Sequence, residues 1–220
     1  MAAEDKNPIV LNFNDSLLHK SDVDLLIGPH WINDQLLNFC FEYYEKEQFS
    51  HSADKLALLN ADVVQFVKLA QDNDIGNFLA PLNLPSKQFV FLPVNDNQVV
   101  NQTGGNHWSL LVYIRNKQEF RHYDSLEGRN QEIARTLAYK IQPYVQAPRG
   151  RMKVLEVESP RQTNGYDCGM FVIAVAEHLC KELCEGYTIP LNDLVNPESV
   201  SKKRSQVKEL IYNVAEEFGT

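Results

Sequence analysis

Gln162-Thr-Asn-Gly-Tyr-Asp-Cys168-Gly-Met-Phe-Val172 places a cysteine directly before an apolar run that continues to Ala176. Polar, turn-forming residues stand just upstream. The stretch predicts a thiol on the first turn of a buried helix. The first N–H groups of a helix lack intrahelical partners and form the positive end of its dipole, so negative charge is favoured there. The thiolate, not the thiol, is the nucleophile, and Cys168 is therefore the candidate for covalent chemistry. A cysteine beside apolar residues is more often an inert core thiol. The Gly-Tyr-Asp-Cys-Gly context and the upstream Gln162 reverse that preference.

A nucleophile needs a base, and the base needs an orienter. His107 opens the strand-like run Trp108–Ile114, and Asp124 closes Phe120–Tyr123. Two antiparallel strands joined at Arg115–Glu119 would set the start of one beside the end of the other. That hairpin brings His107 to Asp124. A carboxylate orients an imidazole and stabilises its imidazolium form. His122, two residues before Asp124, would face the same side of the strand and is the rival base. His107 is preferred because it follows the Gly104-Gly105 turn and begins the facing strand.

Gly105-Asn-His107-Trp108-Ser-Leu-Leu, His122-Tyr-Asp124-Ser and Gln162 with Asp167-Cys168-Gly169-Met170 follow one another in that order, after Trp31-Ile-Asn-Asp34. This ordered set closely resembles the ubiquitin-like-protein proteases, the sentrin-specific (Ulp) cysteine peptidases. The resemblance covers nearly the whole chain. The short catalytic domain, with Asp15-Ser-Leu-Leu, Phe89-Val-Phe-Leu, Asn95-Asp-Asn97 and Lys202-Lys-Arg204, looks like the deneddylating branch, which acts on a Nedd/Rub-type modifier. The resemblance implies Cys168 as nucleophile, His107 as general base, Asp124 as orienter and Gln162 in the oxyanion hole. It implies that Trp31 and Trp108 line a narrow tunnel over the Gly-Gly tail of the modifier. Only residues without a Cβ pass between two close rings. Asp34 would contact the modifier just before that tail, and Asn95, Asp96 and Asn97 would belong to the substrate-binding surface. Asn95–Asn106 is expected to be a loop that closes over the modifier. Cullin-type conjugates are the implied substrates, no metal or organic cofactor is implied, and a monomer is expected.

The chain has 220 residues, 44% hydrophobic, with a formal net charge of −8. One domain with a sizeable core is expected. The acidic balance argues against a nucleic-acid footprint and favours basic or mixed-charge partners. No run reads as a signal peptide or membrane span, so cytosol or nucleus is the expected compartment. The four cysteines, Cys40, Cys168, Cys180 and Cys184, lack a secreted disulfide spacing. Cys180 and Cys184 with His178 fall short of the four converging ligands of structural zinc and are expected to be core thiols.

Elements follow from periodicity. Val10–Phe13 reads as an edge strand and Ser16–Ile27 as an amphipathic helix broken by Gly28-Pro29. Asn33 or Asp34 caps a helix to about Lys46, and Asn60 or Asp62 opens Val63–Ala70. Ile75–Leu79 is a short helix. Gln88–Val94, Trp108–Ile114, Phe120–Tyr123 and Arg151–Val157 read as strands. Asn130–Val145, Cys168–Leu183 and Ser199–Phe218 read as helices. Lys202–Arg204 is expected as a solvated helix start, and Arg149-Gly-Arg151 as a turn. The fold class is α+β, a two-lobed papain-like arrangement. It has a helical N-terminal part, a central mixed or antiparallel sheet and the nucleophile at the start of a buried helix.

Three other functions compete with a deneddylating protease. They are a SUMO-specific protease of the same family, a cysteine-dependent acyltransferase, and a non-enzymatic module that binds ubiquitin-like tails. The Trp31/Trp108 pair argues against the acyltransferase, and the Cys168–His107–Asp124–Gln162 set argues against the binding module.

Overall fold

The computed structural model describes residues 6–70, 72–99, 104–147 and 153–218. The chain opens with a hairpin, β1 (Ile9–Phe13) and β2 (Ser16–His19), and a short helix α1 (Lys20–Asp24). Helix α2 (Asp34–Tyr43) follows and continues into a π-helical turn, Tyr44–Gln48. Next come β3 (Leu56–Leu58), α3 (Ala61–Leu69) and α4 (Asp72–Leu79). Strands β4 (Phe89–Asn95), β5 (Trp108–Ile114) and β6 (Glu119–Tyr123) form the middle of the molecule. Helix α5 (Gln131–Ile141), β7 (Lys153–Val157), α6 (Cys168–Glu185), α7 (Leu191–Leu194) and α8 (Pro197–Phe218) complete it.

Strands β3 to β7 lie in sequence order in one mixed sheet. The outer pairs are parallel and the inner pairs antiparallel. Both faces are covered, which is why the inner strands read as continuous apolar runs rather than as alternation. Phe91, Leu110, Val112, Ile114 and Tyr123 pack toward α2, α6 and α8. Val90, Leu92, Val94, Leu111, Tyr113 and Phe120 pack toward α3, α4 and α5. Helix α6 lies on the first face, buried from Cys168 to Ala176.

The predicted helix Ser16–Ile27 is corrected: its first four residues are a strand. Asn14 takes a left-handed conformation, φ 48°, which asparagine tolerates better than most residues, and turns the chain back on β1. Ser16 and Leu18 are buried while Leu17 is exposed, the period of a strand rather than a helix. With this hairpin and β3, the N-terminal part is less helical than its sequence suggests. The nucleophile helix begins where expected and runs two residues past Leu183. The start of the predicted strand Arg151–Val157 and the Arg149–Arg151 turn lie outside the described residues.

Candidate active site

The β5–β6 hairpin does what its sequence requires. Leu110 pairs with Tyr123, so His107 and Asp124 meet just beyond the last paired residues. His107 Nε2 lies 2.6 Å from Asp124 Oδ1, and both side chains are sealed from solvent. Asp124 also accepts the backbone N–H groups of Leu126 and Asn130. Burial disfavours its charge, but the His107 and backbone hydrogen bonds outweigh that and hold the carboxyl below its usual range. Burial likewise opposes the His107 imidazolium. The Asp124 hydrogen bond and charge prevail, helped by the nearby Cys168, and the His107 pKa is pushed up to about 9.

With Nε2 held by Asp124, His107 Nδ1 is the nitrogen left for Cys168. It is buried and has no hydrogen-bond partner of its own among the described groups. The interaction with the Cys168 thiol is the strongest after that with Asp124 in raising the histidine. The candidate nucleophile Cys168 thus lies beside the candidate base His107, which Asp124 holds from the other side of the ring. The rival His122 is engaged elsewhere: Nδ1 is 2.7 Å from Glu156 Oε2, and Nε2 is 2.9 Å from Ser109 Oγ.

Cys168 is the first residue of α6. Asp167 before it does not cap the helix with its side chain. Its carboxylate instead accepts from Asn164 Nδ2 and Arg204 Nε, both at 2.7 Å. The first-turn N–H groups therefore have no side-chain acceptor from Asp167. Gln162 is fixed nearby. Its Oε1 accepts from Ser125 Oγ at 2.7 Å, and its Nε2 donates to Asn164 O at 2.6 Å. An amide nitrogen carries two hydrogens, so one remains for an oxyanion.

A cleft of about 590 Å³ runs past the thiol, lined by Trp31, Asp34, Asn95, Asn97, Trp108 and Cys168 among others. Trp31 is 49% exposed, and its Nε1 donates to Gly165 O at 2.6 Å. Gly169 lets the walls close in: a Cβ there would sit 2.5 Å from Ile32 Cγ1 and 3.3 Å from Trp108 Cδ1. Asn33 supplies the cap of α2 by accepting from Leu36 N, which leaves Asp34 to face the cleft. Burial, then the nearby Asp62 charge, raises the Asp34 pKa.

Asp96 is the exception among the expected substrate-binding residues. It does not line the cleft. Its Oδ1 accepts from Asn106 N and His107 N, at 2.6 and 3.1 Å, and so braces the backbone of His107. Lys68, buried on α3, donates to Asn95 O and Asn97 O at 2.5 Å each. The described parts of the 95–106 loop are anchored by these bonds; residues 100–103 lie outside the described residues. Sequence reasoning missed Asp62, Lys68, Ile32 and Arg204. Arg204 was expected to be solvated and is instead 6% exposed, against Asp167. As the last of three consecutive basic residues, Lys202-Lys-Arg204, it gave no signal of burial.

Burial disfavours the thiolate form of the other cysteines. Burial pushes Cys40 up to about 12 and Cys180 well above the usual thiol range, and it also raises Cys184.

The Ulp1 protease family, C-terminal catalytic domain, matches residues 30–217. The chain belongs to the Ulp1 protease family. Among Ulp1-family relatives, human Sentrin-specific protease 8 is 41% identical over 211 residues, which cover 95% of this chain and 99% of the human protein. NEDD8-specific protease 1 of Arabidopsis thaliana is 35% identical over 179 residues, 80% of this chain and 77% of the plant protein. The Ulp1 family fold is also seen in a solved structure. The yeast C-terminal Ulp1 protease domain in complex with Smt3, the yeast ortholog of SUMO, superimposes with a TM-score of 0.74 at 20% identity, over 97% of this chain and 90% of that one. As a member of the Ulp1 family this protein is a cysteine protease.

Proposed function

We propose that this protease removes a Nedd/Rub-type modifier from lysine isopeptide conjugates and matures its precursor. The observation that carries the reading is the orientation of His107. Nε2 is held by Asp124, and Nδ1 is left for Cys168 at the head of α6. The match to proteins named NEDD8-specific supports this choice of modifier.

The Cys168 thiolate attacks the carbonyl carbon of the terminal glycine. The Gln162 amide and the first-turn N–H groups of α6 stabilise the oxyanion, an effect often worth about 2.7–4 kcal/mol per donor. The His107 imidazolium gives its Nδ1 proton to the leaving amine, and a thioester remains. Water attacks the thioester, Nδ1 takes its proton, and the thiolate departs. No step needs a metal or organic cofactor. Trp31 and Trp108 flank the glycines of the tail, and Asp34 receives the residue before them. Asn95 and Asn97 touch the modifier from the loop side. Cullin-type conjugates are the proposed substrates, with the protein acting as a monomer in the cytoplasm or nucleus.

The test uses Nedd/Rub-type, SUMO and ubiquitin modifiers, each with a fluorogenic amide on its terminal glycine. Wild type and Cys168→Ala are compared by kcat/KM. Fast cleavage of the Nedd/Rub-type substrate, lost in the variant, is expected. Preference for SUMO would overturn the modifier, and cleavage by Cys168→Ala would overturn the mechanism.

A further inference from the structure

Arg204 lies on α8, far in sequence from either wall of the cleft, yet its guanidinium joins both. Nε is 2.7 Å from Asp167 Oδ1. One terminal nitrogen donates to Leu25 O at 2.9 Å, and the other donates to His30 O at 2.7 Å. The guanidinium also lies 5.4 Å from the centre of the Tyr166 ring. His30 immediately precedes Trp31, and Asp167 immediately precedes Cys168. Trp31 Nε1 closes the loop by donating to Gly165 O, in the same turn as Asp167.

These bonds make a closed mechanical circuit. Half-exposed Trp31 has limited packing to fix it, so its position depends on its backbone and its one indole hydrogen bond. Arg204 holds that backbone and the turn at the other end of the indole bond. The Arg204 charge also offsets the Asp167 carboxylate, which would otherwise oppose a thiolate on the next residue. Only a planar fork with several N–H groups reaches a carboxylate and two carbonyls at once; a lysine ammonium does not.

Resting on the reading of Cys168 as nucleophile, we propose that Arg204 is a positioning residue that fixes Trp31 relative to Cys168 and so aligns an extended tail over the thiol. Its effect is transmitted through Trp31.

The test is a double-mutant cycle of Arg204→Lys and Trp31→Phe, read as kcat/KM on the modifier amide. Labelling of Cys168 by chloroacetamide, which needs no tail, is measured alongside. Arg204→Lys is expected to lower kcat/KM about tenfold or more, in line with the rate cost of small misplacements. Its labelling rate should stay within about twofold of wild type, because the charge beside Asp167 is kept. In the Trp31→Phe background the same change should have little further effect. Multiplying effects, or an Arg204→Lys enzyme with wild-type kcat/KM and only a lower Tm, would overturn the proposal. If Arg204→Lys does not fold, Asp167→Asn enters the same cycle, read by kcat/KM alone because it alters the charge beside Cys168, and its loss should again have little further effect in the Trp31→Phe background. Failure of the nucleophile reading is seen separately, as activity retained in Cys168→Ala.

Discussion

His107 Nε2 sits 2.6 Å from Asp124 Oδ1 with both side chains closed to water. This bond outweighs the burial that opposes the imidazolium, and the histidine stays charged up to about pH 9. In the proposed mechanism the imidazolium protonates the leaving amine, so kcat/KM is expected to fall as pH rises through about 9. Asp124→Asn removes the main cause of the raised pKa. The alkaline limb should then move to lower pH, and the rate should drop about 10²–10⁴-fold. An unmoved limb would contradict this. The sign of the stability effect follows too. A raised histidine contributes stability that is complete below about 6.5 and lost as pH climbs through about 9.

Gly169→Ala should damage the cleft more than the fold. The new Cβ would meet Ile32 at 2.5 Å and Trp108 at 3.3 Å. Ile32 must move, and Trp31 is its chain neighbour. A cost of about 1–3 kcal/mol in stability is expected from overpacking. kcat/KM should fall at least tenfold, on the order of what a small misplacement at the reacting centre costs. Denaturant melts beside steady-state kinetics would check both. Unchanged kinetics would remove Ile32 and Trp108 from the tail channel.

Lys68→Met should loosen the loop that carries the base. The ammonium holds the carbonyls of Asn95 and Asn97, while Asp96 braces His107 from within the same loop. Burial lowers the lysine to about 8 against the pull of Asp96. Faster amide exchange at residues 95–97 and 106–107 is expected, with a lower kcat/KM. Unchanged exchange there would show that Asp96 suffices.

Glu177 is an acid-stability element remote from the chemistry. Burial raises its pKa, but Lys203 and Lys181 outweigh burial and hold it at about 2. A depressed carboxylate contributes stability above about 4.5 that is lost as pH falls toward 2. The Tm gap between wild type and Glu177→Gln should therefore shrink as pH is lowered through that window. A gap independent of pH would contradict this.

The His107–Asp124 contact and the place of Cys168 were legible because both depend on local rules. A hairpin register brings His107 to Asp124, and a polar turn before an apolar run puts Cys168 at a helix start. The central strands were legible because a doubly covered sheet needs continuous apolar runs. β2 was not, since Leu17-Leu18 satisfies helix and strand periods alike, and only the partner strand Ile9–Phe13 decides between them. β3 is three residues long, too short for any period to show. Asp96 reads as a polar loop residue, yet it faces inward to the backbone of His107. Arg204 depends on carbonyls of Leu25 and His30 more than 170 positions away, which no local pattern encodes.

We propose Cys168 alone as the nucleophile for a Nedd/Rub-type tail. The direct measurement is to treat the protein with that modifier carrying a C-terminal propargylamide in place of its last glycine, then map the adduct by mass spectrometry. A single adduct on Cys168 is expected. It should be absent in Cys168→Ala and in His107→Ala, with no labelling of Cys40, Cys180 or Cys184. An adduct on one of those other thiols, or none with the Nedd/Rub-type probe and one with SUMO, would contradict this assignment.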